Sequence, residues 1–470
     1  MLKDDVNVQF KWHGDKPKNM EWAWWMFWDE SQNITHQSSV TFIQDAILSN
    51  QVYSSSKDNE HAILVKKGTI TISNATVTKT WDAEWDTADF YWTNAAVIST
   101  DEWILHLANV TVNTDWKHAN AVFAYWSWQV DIWDSTITTK ADNSWWIMVT
   151  WWWTLSASNV NITTEWKSSA AIRSDRWGWD LYVDWWKYTT NWVWSPAIYS
   201  TANIIVEHAE LTSTKSEWII IEWKNSVKIS SSTLTDTNTT LNWQSTTYKN
   251  IFLYQSMSWD ADEWTASFTA EECKIITNKW DTIYVTNTKA EIILEANEII
   301  NNDWDFLRIE WAAWGKQGSN WWDVSLNLIN QKVQWDIVID NISSLSMMLS
   351  DWSSYTWAIN TTNQSQNISI KLDSTSTWTL DSDSYVFEIS SEVEWFSNIN
   401  LNWYTLYIWE TAITSVEQIQ TNEIWTISIQ SNEDTEIQSG NSTNYLIIWW
   451  IWIIIIIAII GVCFRTYMKK

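Results

Sequence analysis

Four charged side chains stand close together in the stretch AIRSDRWGWD: Arg173, Asp175, Arg176 and Asp180. Arginine is scarce in this chain, and only Arg308 adds to these two before the last six residues. Because a guanidinium is a planar fork that pairs with carboxylates, the cluster predicts a binding contact with an acidic sugar such as a uronic acid, or the arginine base of a lyase. An ion pair that fixes one bend of the chain explains the same residues, and both interpretations stay open.

Acidic side chains are also clustered in TWDAEWDTAD, which contains Asp82, Glu84, Asp86 and Asp89. A lyase needs clustered carboxylates to hold Ca²⁺, although acidic loops of this kind are usually solvated surfaces. The six histidines are scattered without the spacing of metal ligands. The sequence therefore predicts no metal centre and no cofactor, with Ca²⁺ left as the one open alternative.

Hydrophobic residues recur at a fixed interval in the middle of the chain, and most steps are 23–26 residues long. Period-two alternation, as in TITISNATVT, is typical of strands, and several short strands per repeat are typical of a solenoid. One inward series is Val77, Val112, Ile137, Ile162, Tyr188, Leu211 and Leu234. A second series is Ile72, Leu107, Ile132, Ala157, Val183, Val206 and Ile229, and a third is Ala96, Val122, Met148, Ile172 and Ile198.

These series predict an all-β right-handed parallel β-helix, with a β-sandwich array as the rival fold. Asn74, Asn109 and Asn159 share one turn position, where stacked amides can bond to each other along a solenoid. Cys273 falls at an inward position, so we expect a buried structural thiol. The other cysteine, Cys463, is far away in the sequence, and no disulfide framework is predicted.

Tryptophan is in great excess, at 47 residues against 7 glycines. Many of these tryptophans follow Asp, Asn, Glu or Thr at the ends of strands, as in NTDW, TTEW and TTNW. Turns need glycine there, because glycine alone adopts positive φ without steric cost. Each exposed indole would also present about 150–250 Å² of ring surface to water. Our hypothesis is that most tryptophan letters are UGA codons that the cell reads as glycine; a protein truly rich in tryptophan, with aromatic platforms for sugars, is the alternative.

The net charge of −28 argues against nucleic acid as a partner, since phosphate binding needs a basic surface. Residues 445–464, YLIIWWIWIIIIIAIIGVCF, carry no charge and are long enough to span a bilayer. The basic tail 465–470 then predicts a cytoplasmic C-terminus and an extracellular remainder. The opening MLKDDVNVQF lacks the apolar core of a signal peptide, so we expect an export signal missing from this chain; a tail-anchored cytoplasmic protein is the alternative.

Five segments are predicted from these patterns. Residues 1–60 form an N-terminal segment or cap of the solenoid, and residues 61–410 form the parallel β-helix ectodomain. Residues 411–444 are rich in Ser, Thr, Gln and Glu and form an acidic stalk. The transmembrane helix 445–464 and the basic cytoplasmic tail 465–470 complete the chain.

With tryptophan read as glycine at turns, residues 60–410 resemble bacterial adhesin-like, pectate-lyase-like β-helix surface proteins. The stretches that carry the resemblance include DFYWTNAAV, NSWWIMVTWWWTLSASNV, IIIEWKNSV, KNIFLYQSMSWDAD, AAWGKQGSN and LDSTSTWTLDSDSYV. Trp314 and Trp378 are tryptophan in the family pattern, so we expect these two to be genuine. The resemblance implies a right-handed β-helix at the cell surface without a settled activity.

The predicted function is a single-pass cell-surface protein, adhesin-like, that binds a polysaccharide or another cell's surface. A polysaccharide lyase or related carbohydrate-active enzyme is the first alternative, and a structural spacer is the second. A hydrolase of the pectinase type would need paired aspartates and a Gly-His-Gly motif. No histidine here stands in that setting, which argues against that class.

The recoding hypothesis predicts glycine in the native protein at most positions printed as tryptophan. Peptide masses from the native organism should lack indole at Trp151, Trp152 and Trp153, and their codons should be UGA. Trp378 is the internal control, because it should retain its indole. UGG codons at the three consecutive positions would end the hypothesis.

Overall fold

A computed structural model of the protein describes residues 35–81, 93–100, 103–125, 129–142, 144, 147–150, 154–174, 180–222, 224–238, 241, 249–255, 265–279, 281–303, 305–311, 323–365 and 367–421. These residues wind into a right-handed-type parallel β-solenoid of about 12 turns. The predicted all-β class and parallel solenoid are confirmed. No helix within the described ranges is long and apolar enough to cross a membrane, and the predicted span 445–464 lies outside those ranges.

One side of the solenoid, called face A, is a sheet of 12 parallel strands with one strand from each coil. Strands are numbered along the chain. Those of face A are Gln37–Phe42 (β1), Glu60–Val65 (β4), Ala95–Ser99 (β7), Asn120–Tyr125 (β10), Ile147–Thr150 (β12), Ile172–Ser174 (β14), Ile198–Ser200 (β16), Ile219–Glu222 (β18), Lys249–Tyr254 (β21), Asp281–Thr286 (β24), Asp305–Ile309 (β27) and Asp336–Ile339 (β30).

The remaining sides of the coils form face B, in which each coil bends once between two runs of strand. In the central coils the two runs join into single 11-residue strands. The strands of face B are Ala46–Ser49 (β2), Val52–Ser55 (β3), Thr69–Ser73 (β5), Thr76–Lys79 (β6), Ile104–Ala108 (β8), Thr111–Thr114 (β9), Gln129–Thr139 (β11), Thr154–Thr164 (β13), Asp180–Thr190 (β15), Asn203–Ser213 (β17), Ser226–Ser230 (β19), Thr233–Asp236 (β20), Thr265–Glu271 (β22), Lys274–Thr277 (β23), Lys289–Glu295 (β25), Glu298–Asn301 (β26), Asp323–Ile329 (β28), Ser344–Ser350 (β31), Asn367–Leu372 (β33) and Glu388–Ser391 (β36).

Two small sheets and a short helix complete the C-terminal coils. The pair β38 and β39 is antiparallel, whereas the other strand pairs within the described ranges are parallel. The helix, Glu417–Thr421, and the strand β39 lie within the segment predicted as a stalk. The strands of the two sheets are Lys332–Val333 (β29), Ser354–Thr356 (β32), Thr377–Thr379 (β34), Ile399–Asn400 (β37), and Ser384–Val386 (β35), Leu406–Ile408 (β38), Thr411–Ile413 (β39).

The core is a set of inward columns in which each coil contributes one residue to each column. The series from Val77 to Leu234 is in register at every step. The series from Ile72 to Ile229 is also in register throughout. All members of both series are buried, so the predicted inward positions on face B are confirmed.

The third predicted series is wrong by one residue at two positions. Val97, and not Ala96, pairs with Val122, and Ile147, and not Met148, continues the column. Met148 belongs to a separate apolar cluster outside the core column. The error has a physical cause: face A strands are buried on both sides, so AAVIS and IMVT show no alternation that could fix the register.

A residue with left-handed backbone stands at the bend between the two runs of face B in every coil from β2 to β32. These residues are Asn50, Asn74, Asn109, Asp134, Asn159, Trp185, His208, Ser231, Glu272, Ala296, Asn330 and Asp351, with φ between 46° and 56°. Asn109 Nδ2 donates to Asn74 Oδ1 at 2.7 Å, and Asn159 Nδ2 donates to Asp134 Oδ1 at 2.6 Å. The predicted amide-to-amide bond is confirmed between Asn109 and Asn74, whereas Asn159 bonds to the carboxylate of Asp134; both contacts lie at the bend itself.

Cys273 is buried behind this bend, and its thiol lies 3.3 Å from the carbonyl oxygen of Glu271. Burial raises the pKa of the thiol to about 11. A thiol of this kind stays protonated at neutral pH and reacts poorly. The prediction of a structural cysteine is confirmed.

The described tryptophans mostly lie where the sequence predicts, at bends and facing outward. Exposed indoles are found at Trp81, Trp116, Trp166, Trp185, Trp311, Trp352, Trp395, Trp403 and Trp409. Positive φ is found at Trp81, Trp185, Trp194, Trp352, Trp395, Trp403 and Trp409.

At Gly68, which has φ of +98°, a Cβ atom would lie 2.5 Å from the backbone nitrogen of Asp45, so that bend requires glycine.

Trp218 and Trp378 are the two fully buried indoles in the described part of the chain. Trp378 was expected to be genuine, and its Nε1 donates to the carbonyl oxygen of Trp357 at 3.0 Å. The outward placement predicted for most other tryptophans is wrong at Trp218, whose Nε1 has no partner among the described residues. It is also wrong at Trp103, Trp335 and Trp357, which are partly buried and pack against the core. A buried indole N–H normally finds an acceptor, so the two sites differ in how well they suit tryptophan.

Replacing Trp352 and Trp403 by glycine together should stabilise the protein by about 2 kcal/mol, since left-handed backbone costs a residue with a Cβ about 1 kcal/mol. Both side chains are exposed, and the backbone φ angles of the two residues are 68° and 72°. Chemical denaturation of the chain as printed measures the gain. Trp311→Gly is the matched control, because its indole is exposed but its φ is not positive; it should lose about 0.5–1 kcal/mol. A double variant less stable than the parent would contradict the strain argument.

Candidate functional site

Two of the four predicted site residues lie within the described ranges, and they fall on different faces of the solenoid. Arg173 lies at the centre of β14 on face A, and Asp180 is the first residue of β15 on face B. Asp180 Oδ1 accepts a hydrogen bond from Asn203 Nδ2 at 3.4 Å. Asp175 and Arg176 lie outside the described residues, so the binding role of the four residues stays a prediction.

The acidic loop considered for Ca²⁺ also lies outside the described residues, since positions 82–90 are not among them. In the part of the chain that the structure describes, no group of three or more His, Cys, Asp or Glu side chains is arranged to hold a metal ion.

Arg173 belongs to a column on the outer side of face A that the sequence patterns did not predict. Ile220, Phe252 and Tyr284 are buried in it, and Arg173, Tyr199 and Arg308 are half-buried. Neighbouring strands place one residue from each of six consecutive coils in exact pairing register. The column, called the face A column, consists of Arg173, Tyr199, Ile220, Phe252, Tyr284 and Arg308. With strands about 4.8 Å apart, its two arginines are separated by about 24 Å along the solenoid.

The Arg173 end of the column combines a cation, two phenols and a carboxylate. The guanidinium of Arg173 lies over the ring of Tyr199, 4.9 Å from its centroid. Tyr199 Oη donates to Glu222 Oε1 at 2.6 Å, and the hydroxyl of Tyr254 donates to the same oxygen. Burial is the main cause that raises the pKa of both phenols well above 10, so both remain hydrogen-bond donors at neutral pH.

The middle of the column is a cluster of aromatic rings beside a lysine. Phe252 stacks on Tyr254 with centroids 4.6 Å apart and meets Tyr284 edge-on at 5.6 Å. Lys249 Nζ lies 4.7 Å from the centroid of Phe252 and 4.8 Å from that of Tyr284. Burial lowers the pKa of this lysine. Cations over aromatic faces gain most when they are desolvated.

The Arg308 end is an ion-pair cluster. Arg308 Nε lies 3.0 Å from each carboxylate oxygen of Asp281, and its Nη2 contacts Asp305. Asp281 is fully buried. Burial raises the pKa of Asp281 to about 7, although the guanidinium opposes the shift. Proton uptake by this carboxyl therefore occurs near neutral pH.

Three cations, Arg173, Lys249 and Arg308, are concentrated along the face A column of a chain whose net charge is −28. Glu222, Asp281 and Asp305 lie beside them, and Glu217 and Glu310 also act on Lys249, so carboxylates outnumber cations here. Aromatic rings with paired charged groups are the side chains that contact sugar rings, hydroxyls and carboxylates. The arrangement can bind an extended ligand that carries both hydroxyl groups and some negative charge.

One surface network on face B has the residue types of a serine hydrolase but the wrong order. Ser156 Oγ donates to Asp131, and His106 Nδ1 lies 2.9 Å from Asp131 Oδ2. Because the carboxylate stands between the other two side chains, the imidazole is not placed to take the proton of the hydroxyl. This network gives no support to nucleophilic catalysis.

Comparison of the chain with protein-family models, with curated proteins and with solved structures finds no match.

Removal of the Arg308 guanidinium should destabilise the protein by about 3–5 kcal/mol at pH 8, because a buried carboxylate loses its partner. The folded-state pKa of Asp281 is above the unfolded value of about 3.9. The stabilisation contributed by the protonated carboxyl of Asp281 is thus fully present below about pH 4 and is lost as pH rises through about 7. Arg308→Met should therefore lower the free energy of unfolding by less at pH 5, where Asp281 is protonated.

Chemical denaturation of Arg308→Met at pH 5 and pH 8 measures both costs. Lys289→Met is the control, since Lys289 and Asp323 form an exposed pair at 3.8 Å and such pairs contribute about 0–1 kcal/mol. If both variants lose the same free energy of unfolding at pH 8, the buried Arg308–Asp281 pair stabilises the protein no more than an exposed ion pair does.

Proposed function

We propose that this protein is a cell-surface β-helix that binds an acidic glycan along the face A column. The observation that carries the proposal is the in-register column in which two arginines, Arg173 and Arg308, flank a cluster of aromatic rings. The coil step of about 4.8 Å is close to the length of one sugar unit in an extended chain, and the half-buried Arg173, Tyr199 and Arg308 are the members of the column that a ligand would reach. Arg173 would contact a sugar carboxylate, in keeping with the sequence interpretation.

Anchoring to the membrane is part of the proposal and rests on sequence. The uncharged run 445–464 followed by the basic tail 465–470 supports a single span with the solenoid outside. The acidic composition of residues 411–444 supports an extended connection. The proposed partners are thus a membrane at one end and a polysaccharide or another cell's envelope at the other.

A second candidate function, a polysaccharide lyase, is favoured by one observation. Arg173 is half-buried on the outer side of face A, where it would act as the arginine base, whereas Asp281 beside Arg308 is fully buried and does not reach a ligand on this surface. In a lyase, a base removes the proton next to the uronate carboxylate and the glycosidic oxygen leaves, which creates a carbon–carbon double bond. A purely structural spacer is the remaining alternative.

The test is binding of uronate oligosaccharides to the purified full chain by titration calorimetry. Arg173→Ala should weaken binding at least tenfold, which corresponds to about 1.4 kcal/mol. Lys228→Ala, which removes a cation on face B, should leave the affinity unchanged. Equal affinity of Arg173→Ala and the parent would contradict the proposal, and absence of binding in the parent would favour the spacer.

The same mixtures discriminate the two active functions. Appearance of unsaturated uronate, lost in Arg173→Ala, would establish the lyase. Binding without turnover would establish the adhesin-like role.

A further inference from the structure

A second elongated depression lies on face B, in the C-terminal half of the solenoid. Its volume is about 570 Å³. It crosses the first residues of six neighbouring strands of face B, which are β22, β25, β28, β31, β33 and β36. A single outward column forms part of its lining: Glu291, Ser325, Ser346, Ser369 and Glu388. We call this depression the face B groove. It shares no residue with the face A column.

The lining column is a straight line of polar groups. Strand pairing places Glu291 beside Ser325, and the register continues to Ser346, Ser369 and Glu388. Four steps of about 4.8 Å separate the two carboxylates by about 19 Å. The three serines between them therefore present hydroxyl groups at one constant interval.

These three hydroxyls are available to a ligand. Ser325 and Ser369 are half-buried and Ser346 is exposed. Elsewhere on this face, serines are engaged with neighbouring coils, as when Ser344 donates to Asp323. Within the described ranges, by contrast, Ser325, Ser346 and Ser369 form no side-chain hydrogen bond.

Charge determines which ligand the groove accepts. Lys289 and Asp323 neutralise each other at 3.8 Å, which leaves Glu291 and Glu388 as a net negative charge at the two ends. An anionic polymer would be repelled here, in contrast to the face A column, which carries Arg173 and Arg308. A neutral chain with repeating hydroxyls can exchange hydrogen bonds with the serines and with both carboxylates.

Phe387 supplies the apolar element at one end of the groove. Its ring is half-buried at the lining and lies 4.7 Å from that of Trp409. Sugar binding commonly combines a few placed polar groups with an aromatic surface. Both components, the polar column and the ring of Phe387, are present in the face B groove.

We propose that the face B groove binds a neutral oligosaccharide, about four sugar units long by the four-step length of the column, with its chain parallel to the solenoid axis. The hydroxyls of successive units pair with Ser325, Ser346 and Ser369. Glu291 and Glu388 accept hydrogen bonds from the hydroxyls of the terminal units. The proposal stands independently of acidic-glycan binding on face A.

The experiment measures binding of α-1,4- and β-1,4-linked glucose oligomers of increasing length to the full chain by titration calorimetry. Affinity should rise with length and level off near four units. Ser346→Tyr places a bulky ring in the middle of the groove and should weaken binding at least tenfold, about 1.4 kcal/mol. Ser158→Tyr is the control, because Ser158 is an exposed serine on β13 of the same face, outside the groove.

Thermal unfolding of both tyrosine variants shows whether they fold like the parent. Uronate binding, if face A provides it, should be unchanged in Ser346→Tyr, so failure of one site is distinguishable from failure of the other. The proposal is overturned if neither glucose series binds the parent or if Ser346→Tyr binds as tightly as the parent.

Discussion

A left-handed bend in each coil is the constraint on which the whole molecule depends. Because the bend falls at the same place in coil after coil, the backbone nitrogen of one bend can donate to the carbonyl oxygen of the next coil, as Asn74 does to Ala108 at 3.0 Å. The strands on either side then stack without slipping, and the inward columns of Ile, Val and Leu fill the interior. Asparagine and aspartate tolerate this backbone better than other non-glycine residues. Tryptophan at the same positions is the anomaly that the recoding hypothesis addresses.

Sequence patterns predicted the fold because two of the three column series lie on face B, where one side of each strand is solvated. There the outward positions are Thr, Ser, Lys or Glu, and the alternation fixes the register. Face A gave no such signal, since Leu64, Ile98, Phe123 and Met148 are buried on the outer side while Ile63 and Val97 are buried on the inner side. The face A column therefore could not be found by periodicity. The scarcity of arginine was a usable clue, because Arg173 and Arg308 fall in the same outer column of face A.

The two faces separate two kinds of chemistry on one scaffold. Face A concentrates aromatic rings, arginine and buried carboxylates, and its groups are held by one another, as Glu222 is by Tyr199 and Tyr254. Face B carries hydroxyls and exposed ion pairs that are individually weak. Of the four predicted site residues, Arg173 and Asp180 lie on different faces, because residues close in sequence diverge where the chain turns from one face to the other. A solenoid brings together residues one coil apart, and neighbours within a turn are separated.

The antiparallel pair at the C-terminal end has a consequence for the size of the molecule. Each coil of the solenoid is a template for another parallel coil, so an uncovered end invites a second chain to continue the stack. The strand β39 runs against the direction of β38 and interrupts that template in the small sheet formed by β35, β38 and β39. Duplicating or deleting one complete coil upstream would change the length of the solenoid by a single strand spacing and would leave its cross-section unchanged.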